Sequence, residues 1–317
     1  MLALGLRFTE IVEKPVEIPH GRFVKPTKIC VCSKLHRLWF MPRMLKSKLE
    51  ITQKTPNFPE LLLCDSVSLN NYKGVTNSLR DNARMARIWF GTSGFGYKEW
   101  KPSFYPPDLS EKQFLQYYAM RLNSVEIDYT FYRIPTVKTI ENWKSATPEN
   151  FKFTLKASQQ ITHRERLKVP SNALDHFMNI ISGLEGRLGM VLYQLPPFFK
   201  CDAQKLETFL SMLPRGIASA FEFRHDSWFN DHVYGLLRKH AACLCIHDAD
   251  DHTTPIELTS PFTYIRLRRS EYSEQLRSEW QDRVRAWAEA GTEVFAYIKH
   301  KDNPDAPLIA LEFAKKF

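Results

Sequence analysis

The sequence has no run of about 18 apolar residues, the length that a membrane-spanning helix needs. Its start, MLALGLRFTE, is too short and too soon charged for the apolar region of a signal peptide. Its six cysteines form no CxxC pair and are too few for a disulfide scaffold. Cys243 and Cys245 fall in an apolar run and are predicted to be buried thiols. We therefore expect a cytoplasmic protein that has no membrane contact.

Two familiar ligand-binding patterns are absent as well. Gly91, Gly94 and Gly96, at the end of the first predicted strand and just after it, lack the GxGxxG spacing, which argues against an open dinucleotide-binding sheet. No HxH or HExxH spacing occurs, and bases beside the candidate acids would repel a cation. A divalent metal is therefore an alternative that we do not favour, and the cofactor stays open.

The positive charge is concentrated at the start of the chain. Residues 1–87 hold fifteen Lys and Arg against seven Asp and Glu, a net charge of +8 out of the total of +9. Residues 88–317 are close to neutral, so the basic pI does not predict that they bind a polyanion. Residues 1–86 are basic, show no persistent helical or strand period and contain six prolines. They predict a disordered extension, a true chain start at Met85, or a basic arm that contacts nucleic acid or a membrane surface.

From Ile88 onward strand-like and helical patterns alternate. We predict eight strands: Ile88–Thr92, Ser124–Asp128, Phe151–Ala157, Leu188–Gln194, Ile217–Arg224, Ala242–His247, Phe262–Arg268 and Glu293–Lys299. We predict helices over Ser110–Arg121, with Ser110 as N-cap, and over Thr136–Ala146, Ser171–Ser182, Ala203–Met212, Asp231–His240, Glu274–Ala290 and Pro307–Lys316. Eight β/α units in this length predict a TIM-type (β/α)8 barrel of residues 87–317. Asp248–Pro261 is too short and too rich in proline for a full helix, so the helix between strands six and seven is short or missing.

Five ordered motifs carry a family resemblance. They are GTSGFGYKEWKPSFYPP, SVEIDYTFYRIP, FKFTLKASQQITH, LGMVLYQLPPFFK and AFEFRHDSWF. Together they make residues 87–317 resemble the YecE-like family, a domain of unknown function. The resemblance implies a TIM-type barrel of this length, and it implies no reaction because the family has no agreed activity. Nothing resembling the family covers residues 1–86.

The chain departs from the family pattern at three places. Asp128 and Tyr129 stand where the second-strand motif usually reads VEIN and a small residue. Arg268-Arg269 replaces a common His-Gly after strand seven. Many members close strand eight with an Asn-Asn-Asp run, where this chain has Lys299-His300-Lys301-Asp302. These changes fall at the predicted barrel mouth, so we do not transfer a substrate from other members.

Chemistry in such a barrel lies at the carboxyl ends of the strands. Side chains alternate along a strand, so Glu126 and Asp128 share one face, as do Glu222 and Arg224. The candidate catalytic residues are Glu126, Glu222, His163 and His225. The candidate substrate-binding residues are Tyr97, Trp100, Asp128, Tyr132, Arg133, Lys156, Gln194, Arg224, Trp228, Arg266 and Lys299. His247 or Asp248 and Arg268 also reach this end of the strands.

Bases outnumber acids among these strand ends, which suits an anionic ligand because Arg offers a two-pronged donor to carboxylate or phosphate. Three alternatives stay open. The first is a purely structural ionic layer made of Glu126, Lys156, Glu222 and Arg224. In the second, Glu126 and Glu222 act as paired acid and base. In the third, acids together with histidines hold a metal.

The aromatic residues of the early loops are typical of packing over a barrel end, with Tyr97, Trp100 and Tyr132 as the candidate exceptions that stack a base. We favour a hydrolase-type enzyme that acts on a small anionic or phosphorylated substrate. Arg224 and Arg266 would bind the anion, Glu126 or Glu222 would be the base, and His163 or His225 the acid. The alternative is a nucleic-acid-binding protein or metal-dependent nuclease, and we expect a monomer in either case.

Overall fold

The computed structural model describes residues 8–11, 17–18, 22–23, 29–32, 85–299 and 304–317. Internal contacts divide the chain into two units, residues 1–71 and 72–317. In the first unit Phe8–Ile11 pairs antiparallel with Ile29–Cys32, and Glu17–Ile18 pairs with Arg22–Phe23. The sequence pattern predicts none of these strands, because such short elements show no period. The predicted disordered extension lies mostly outside the described residues, as does His300.

Eight parallel strands of the second unit form a closed barrel. They are β1 Ile88–Ser93, β2 Ser124–Ile127, β3 Lys152–Lys156, β4 Leu188–Gln194, β5 Ser219–Glu222, β6 Cys243–Asp248, β7 Phe262–Leu267 and β8 Glu293–Lys299. Neighbours in the barrel follow the chain order, and β8 pairs with β1. The predicted TIM-type barrel is confirmed, and each predicted strand end lies within two residues of the observed end.

Helices follow most of the strands. They are α1 Phe114–Ala119, α2 Val137–Ser145, α3 Asn172–Ile181, α4 Ala203–Met212, α5 Asp231–Lys239, α6 Glu274–Glu289 and α7 Ala306–Ala314. Side-chain oxygens of Thr136, Ser171, Asp202, Asn230 and Ser273 accept the backbone N–H three residues onward, which fixes the starts of α2 to α6.

The start of the first helix differs from the prediction. A 3-10 turn, Glu111–Gln113, comes first, and the Ser110 hydroxyl donates to Gln113 Oε1 over 2.7 Å instead of capping the backbone. The α-helix therefore begins only at Phe114. At the other end of the set, Gly291 follows α6 with φ 88°, the left-handed conformation expected of a residue just past a helix end.

No helix joins β6 to β7, as predicted. The loop instead supplies threonine hydroxyls to the strand backbone: the N–H of His247 donates to Thr254 Oγ1 and the N–H of Leu244 donates to Thr259 Oγ1, each over 2.9 Å. The gap beside α6 forms a cavity of about 240 Å³, lined in part by Ile246 and Trp280. Among the described residues no helix is long and apolar enough to cross a membrane.

The barrel interior is apolar at its amino-terminal end. Its buried side chains form a cluster separate from the main core between barrel and helices: Trp89, Met190, Leu192, Ala220, Cys243, Cys245, Tyr264, Phe295 and Tyr297. The two cysteines are buried, as predicted. Gly91 lies within β1 and serves the fold, because a Cβ there would lie 2.0 Å from the Ser124 carbonyl oxygen. Gly94 has φ 91° where the chain leaves β1.

Candidate functional site

Arg266 lies at the centre of a charged layer at the carboxyl ends of the strands. Its side chain is fully buried, as are those of Glu126 and Glu222. The guanidinium donates from one terminal nitrogen to Glu222 Oε2 over 2.5 Å and from the other to Glu126 Oε1 over 2.6 Å. The second nitrogen also contacts Asp128 Oδ1 at 3.1 Å. One arginine on β7 therefore joins the carboxylates of β2 and β5 across the barrel.

Neutral donors complete the coordination of the two buried glutamates. Ser93 donates to Glu126 Oε1 over 2.5 Å, and the Tyr264 hydroxyl donates to Glu126 Oε2. Gln194 donates to Glu222 Oε1 over 2.6 Å. Ser93 and Tyr264 were not among the candidate residues. The same alternation finds them, because Tyr264 lies two positions before Arg266 on one strand face.

The charges of this layer hold Glu222 and Arg266 ionised. Burial opposes ionisation of Glu222, but Arg266 and Arg224 outweigh it and hold the pKa of that carboxyl well below its usual range. Burial likewise opposes the positive charge of Arg266, yet the glutamates on either side raise its pKa well above the usual value. A carboxylate held this firmly in the ionised form is a poor proton donor, so Glu222 is better suited to positioning than to acid catalysis.

Asp128 lies above this layer and has a different setting. The strand ends at Ile127, and Asp128 begins a 3-10 turn, so it does not continue the strand face as predicted. Its side chain is 34% exposed, and its Oδ1 lies 3.7 Å from the Lys156 ammonium. Burial works against its ionisation, but the charges of Arg266 and Lys156 prevail and lower its pKa. Asp128 thus closes the carboxylate layer towards the opening.

Three cations surround this opening, and nearby carboxylates neutralise their charge less completely than that of Arg266. The Arg268 guanidinium comes no nearer than 3.9 Å to Glu126 Oε1 and 3.8 Å to Asp128 Oδ2, and its Nε is buried without a partner among the described residues. Burial and the charge of Arg266 lower its pKa. Burial also lowers the pKa of Lys156. Arg224 contacts Glu222 Oε1 through Nε at 2.9 Å and is one-third exposed. These cations form an incompletely neutralised rim.

His163 adjoins this rim. The π-helical turn Gln160–Arg164 follows β3, and the ring Nδ1 lies 2.9 Å from the Thr162 hydroxyl. Its ring meets Phe131 edge-on at 4.8 Å, and the ammonium of Lys156 lies over the same phenylalanine. Burial and the charge of Lys156 lower the pKa of His163, so the imidazole is mostly neutral at pH 7. It fits a proton acceptor better than the acid that the sequence suggested.

The other loop histidine has a structural contact. The Nδ1 of His225 accepts the backbone N–H of Ser227 over 3.2 Å and caps the 3-10 turn Asp226–Trp228. The ring nitrogen that faces the protein is thereby engaged in shaping the loop. We infer that His225 shapes this loop and is not the catalytic acid.

The two tryptophans are in the core and not at the mouth. Trp100 is fully buried, with its ring 4.9 Å from Tyr97 and 5.7 Å from Phe104. Trp228 is fully buried, stacks on Phe223 at 4.6 Å and donates Nε1–H to a backbone carbonyl. Trp100 is therefore not the exposed stacking surface that was expected, and Trp228, a predicted substrate-binding residue, is enclosed as well. Tryptophan burial stabilises the loops that cover the barrel end.

The remaining candidates lie around the opening. The Tyr97 hydroxyl donates to the Ser93 carbonyl over 2.9 Å, and burial followed by the charges of Asp128 and Glu126 raises its pKa to about 12. Lys299 is half-buried at the end of β8 and is the register partner of Ser93. Tyr132 is 70% exposed and Arg133 is exposed beside it, in the loop after β2. These two belong to the outer surface of the mouth.

A metal site does not emerge from this arrangement. Among the described residues no group of three or more His, Cys, Asp or Glu side chains could hold a metal ion. The candidate ligands Glu126 and Glu222 are engaged by Arg266. Whether the protein uses a cofactor stays an open prediction.

Comparison with known proteins places this barrel in a family. Residues 89–317 match the family model described as "Protein of unknown function DUF72". The chain is 31% identical over 156 residues to the UPF0759 protein YunF of Bacillus subtilis, an alignment covering 46% of this chain and 54% of the relative. It is 30% identical over 116 residues to the UPF0759 protein YecE of Escherichia coli K12, covering 36% and 43%. The chain thus spans about half the length of the curated relatives it matches.

Solved structures agree on the fold. A crystal structure of a DUF72 family protein from Thermotoga maritima matches with a TM-score of 0.65 and 28% identity, covering 73% of this chain and 98% of that one. Another from Enterococcus faecalis matches with a TM-score of 0.61 and 21% identity, covering 72% and 94%. The YecE-like resemblance inferred from the five motifs is therefore confirmed.

Proposed function

This chain belongs to the DUF72 family of proteins of unknown function, and we propose that it is an enzyme acting on a small anionic substrate at the barrel mouth. The single observation that supports this most is Arg268. Its side chain is only 10% exposed and sits beside Arg266; its Nε has no partner among the described residues, and its carboxylate neighbours lie at 3.8 and 3.9 Å. A buried cation with so little compensation is costly unless a ligand supplies the missing charge.

The balance of charge supports the same proposal. Five cations lie at the strand ends, namely Lys156, Arg224, Arg266, Arg268 and Lys299, against the carboxylates of Glu126, Asp128 and Glu222. Arg266 contacts all three carboxylates, so Lys156, Arg224 and Arg268 share these carboxylates with it and positive charge is in excess at the opening. Arg268 replaces Arg266 in the anion-binding role inferred from the sequence. Arginine favours phosphate or carboxylate because its planar donors match two oxygens at once.

We further propose hydrolysis of an ester or glycosidic bond as the reaction class. His163, neutral at pH 7 and next to Lys156, is the candidate proton acceptor that activates water. Arg268, Lys156 and Arg224 would stabilise the negative charge that develops on the substrate. The buried glutamates would act as positioning residues, since their oxygens are occupied by Arg266 and its neighbours.

A thermal-shift titration with inorganic phosphate and a panel of phosphate monoesters tests the proposal. A saturating ligand at about 100 times its Kd stabilises the folded state by ~2.7 kcal/mol. We expect a shift that disappears in Arg268→Ala. The matched control is Arg269→Ala, because the adjacent guanidinium turns away from the mouth and pairs with Asp248 at 2.7 Å. No shift with any anion, or an unchanged shift in Arg268→Ala, would overturn the proposal.

The second candidate function is binding of single-stranded nucleic acid. It is favoured by large aromatic side chains exposed on the mouth loops: Tyr129 at 59%, Tyr132 at 70% and Phe198 at 63%. Cations adjoin them, since the Arg166 guanidinium lies 5.4 Å from the Phe198 ring centre. Bases stack on such rings while cations follow the phosphates. DNA affinity that falls steeply with salt, without small-anion binding, would favour this function.

The cytoplasmic location and monomeric state stay predictions.

A further inference from the structure

His247 has an unusual position in the charged layer. It follows Cys243 and Cys245 on β6, both inside the barrel, and alternation therefore turns its imidazole to the interior at the carboxyl end. Its register partner on the next strand is Arg266. The residue is only 8% exposed, yet neither ring nitrogen has a hydrogen-bond partner among the described residues.

The loop that replaces the missing helix brings a second imidazole to the first. The N–H of Ala249 donates to the carbonyl of His252 over 3.1 Å, and the N–H of Thr254 donates to the carbonyl of His247 over 2.9 Å. This tight turn places the ring centres of His247 and His252 6.2 Å apart. The Nε2 of His252 is also buried without a partner in the described part of the chain. Phe229 lies 6.1 Å from His252 and borders the pair.

Burial is the main cause that lowers the pKa of His247 to about 4. The charges of Arg268, Arg266 and Arg224 act in the same direction, and Glu222 opposes the shift. The imidazole is therefore neutral at pH 7. A neutral imidazole presents one donor and one acceptor, which matches a hydroxyl or a carbonyl and does not match a second anionic group.

No described residue of the protein pairs with these nitrogens. Buried polar atoms of a folded protein nearly always find a partner, and each unpaired one costs free energy. Three such nitrogens in two adjacent rings are best explained by a partner that comes with a ligand. Among the described residues, these two rings belong to no group of three or more metal-binding side chains.

We propose that His247 and His252 form a subsite for an uncharged hydroxyl- or carbonyl-bearing part of the substrate, beside the cations that bind its anionic group. This inference rests on the proposed function and deepens it. The substrate class is then a phosphorylated polyhydroxy compound, because inorganic phosphate alone fills only the cationic side of the mouth.

Isothermal titration with inorganic phosphate and with ribose 5-phosphate tests the subsite, using the full chain. In the wild type the ester should bind at least about tenfold more tightly, which corresponds to ~1.4 kcal/mol. His247→Phe and, separately, His252→Phe should remove that difference while the affinity for phosphate stays unchanged. The control is His240→Phe, because His240 also has a partnerless Nε2 but lies before β6 at the opposite end of the barrel.

The outcomes separate the two proposals. Equal affinities for both probes in the wild type, or an undiminished difference in both histidine variants, overturn the subsite and leave the anion site standing. Binding of neither probe overturns the proposed function and the subsite with it. Thermal melts check folding. Since the ring of His247 has no hydrogen bond to any described residue, His247→Phe should melt no lower than the wild type. If it does melt lower, the smaller variant His247→Ala replaces it.

Discussion

The two ends of the barrel interior are filled by buried side chains of opposite kind, apolar at the amino-terminal end and charged at the carboxyl end. At the amino-terminal end Trp89, Met190 and Phe295 fill the space with apolar surface. At the carboxyl end Arg266, Glu126 and Glu222 are equally buried, but they need one another to remain so. Apolar packing tolerates substitution gradually, whereas a buried ion cluster fails when one partner is removed. The contrast fits the proposal that the carboxyl end binds a ligand, since apolar side chains would stabilise it as well.

Removing the central arginine should give the largest effect. Arg266→Leu leaves Glu126 and Glu222 buried without their cation, and breaking such a pair costs about 3–5 kcal/mol. Urea denaturation measures the loss. The double variant Arg266→Leu, Glu222→Gln should recover part of it, because one carboxylate fewer is left unpaired. A single variant as stable as the wild type would show that the cluster is not needed for folding.

A substitution at the apolar end should cost somewhat less and spare the ligand. Met190→Ala removes fully buried side-chain volume, for which about 2–5 kcal/mol is usual. We expect the midpoint of denaturation to fall while the affinity for phosphate in the folded protein is unchanged. A parallel loss of phosphate affinity would mean that the two ends are coupled, contrary to the comparison.

Acid should weaken the charged end alone. The pKa of Glu222 is lower in the folded protein than in the unfolded chain, so its contribution to stability is complete above the unfolded value. That contribution is lost as the pH falls below about 4.3, the ordinary pKa of glutamate, and through the lower folded value. Denaturation at a series of pH values should show this decline, and Glu222→Gln should flatten it. Met190→Ala should retain the full slope.

The smallest effect is expected on the outer loops. Tyr132→Ala removes a side chain that is 70% exposed, and surface changes of this kind are usually within about 0.5 kcal/mol. Neither stability nor phosphate affinity should change measurably. A clear loss of single-stranded DNA affinity in this variant would instead support the nucleic-acid function.

Local sequence patterns were sufficient for the fold. Strand alternation and helical periodicity act over a few positions, so the elements and their order could be predicted. The same periodicity placed Glu126 and Glu222 inside the barrel. Two boundaries differ from the prediction: a 3-10 turn precedes α1, and β2 ends early at Ile127. Both depend on local side-chain contacts and turn geometry, which hydrophobic periodicity does not describe.

Only the tertiary structure decided which charged residues pair with one another and which are less completely neutralised. Distances across the barrel depend on register and stagger, so the sequence alone identifies neither Arg266 as the neutraliser of Glu126 and Glu222 nor Arg268 as the under-compensated cation. Burial of Trp100 and Trp228 and the approach of His252 to His247 likewise follow from loop packing. The sequence by itself determined a (β/α)8 barrel with charges at one end, because secondary structure follows local periodicity. The partners of those charges emerged only on folding, because they are contributed by strands distant in the chain.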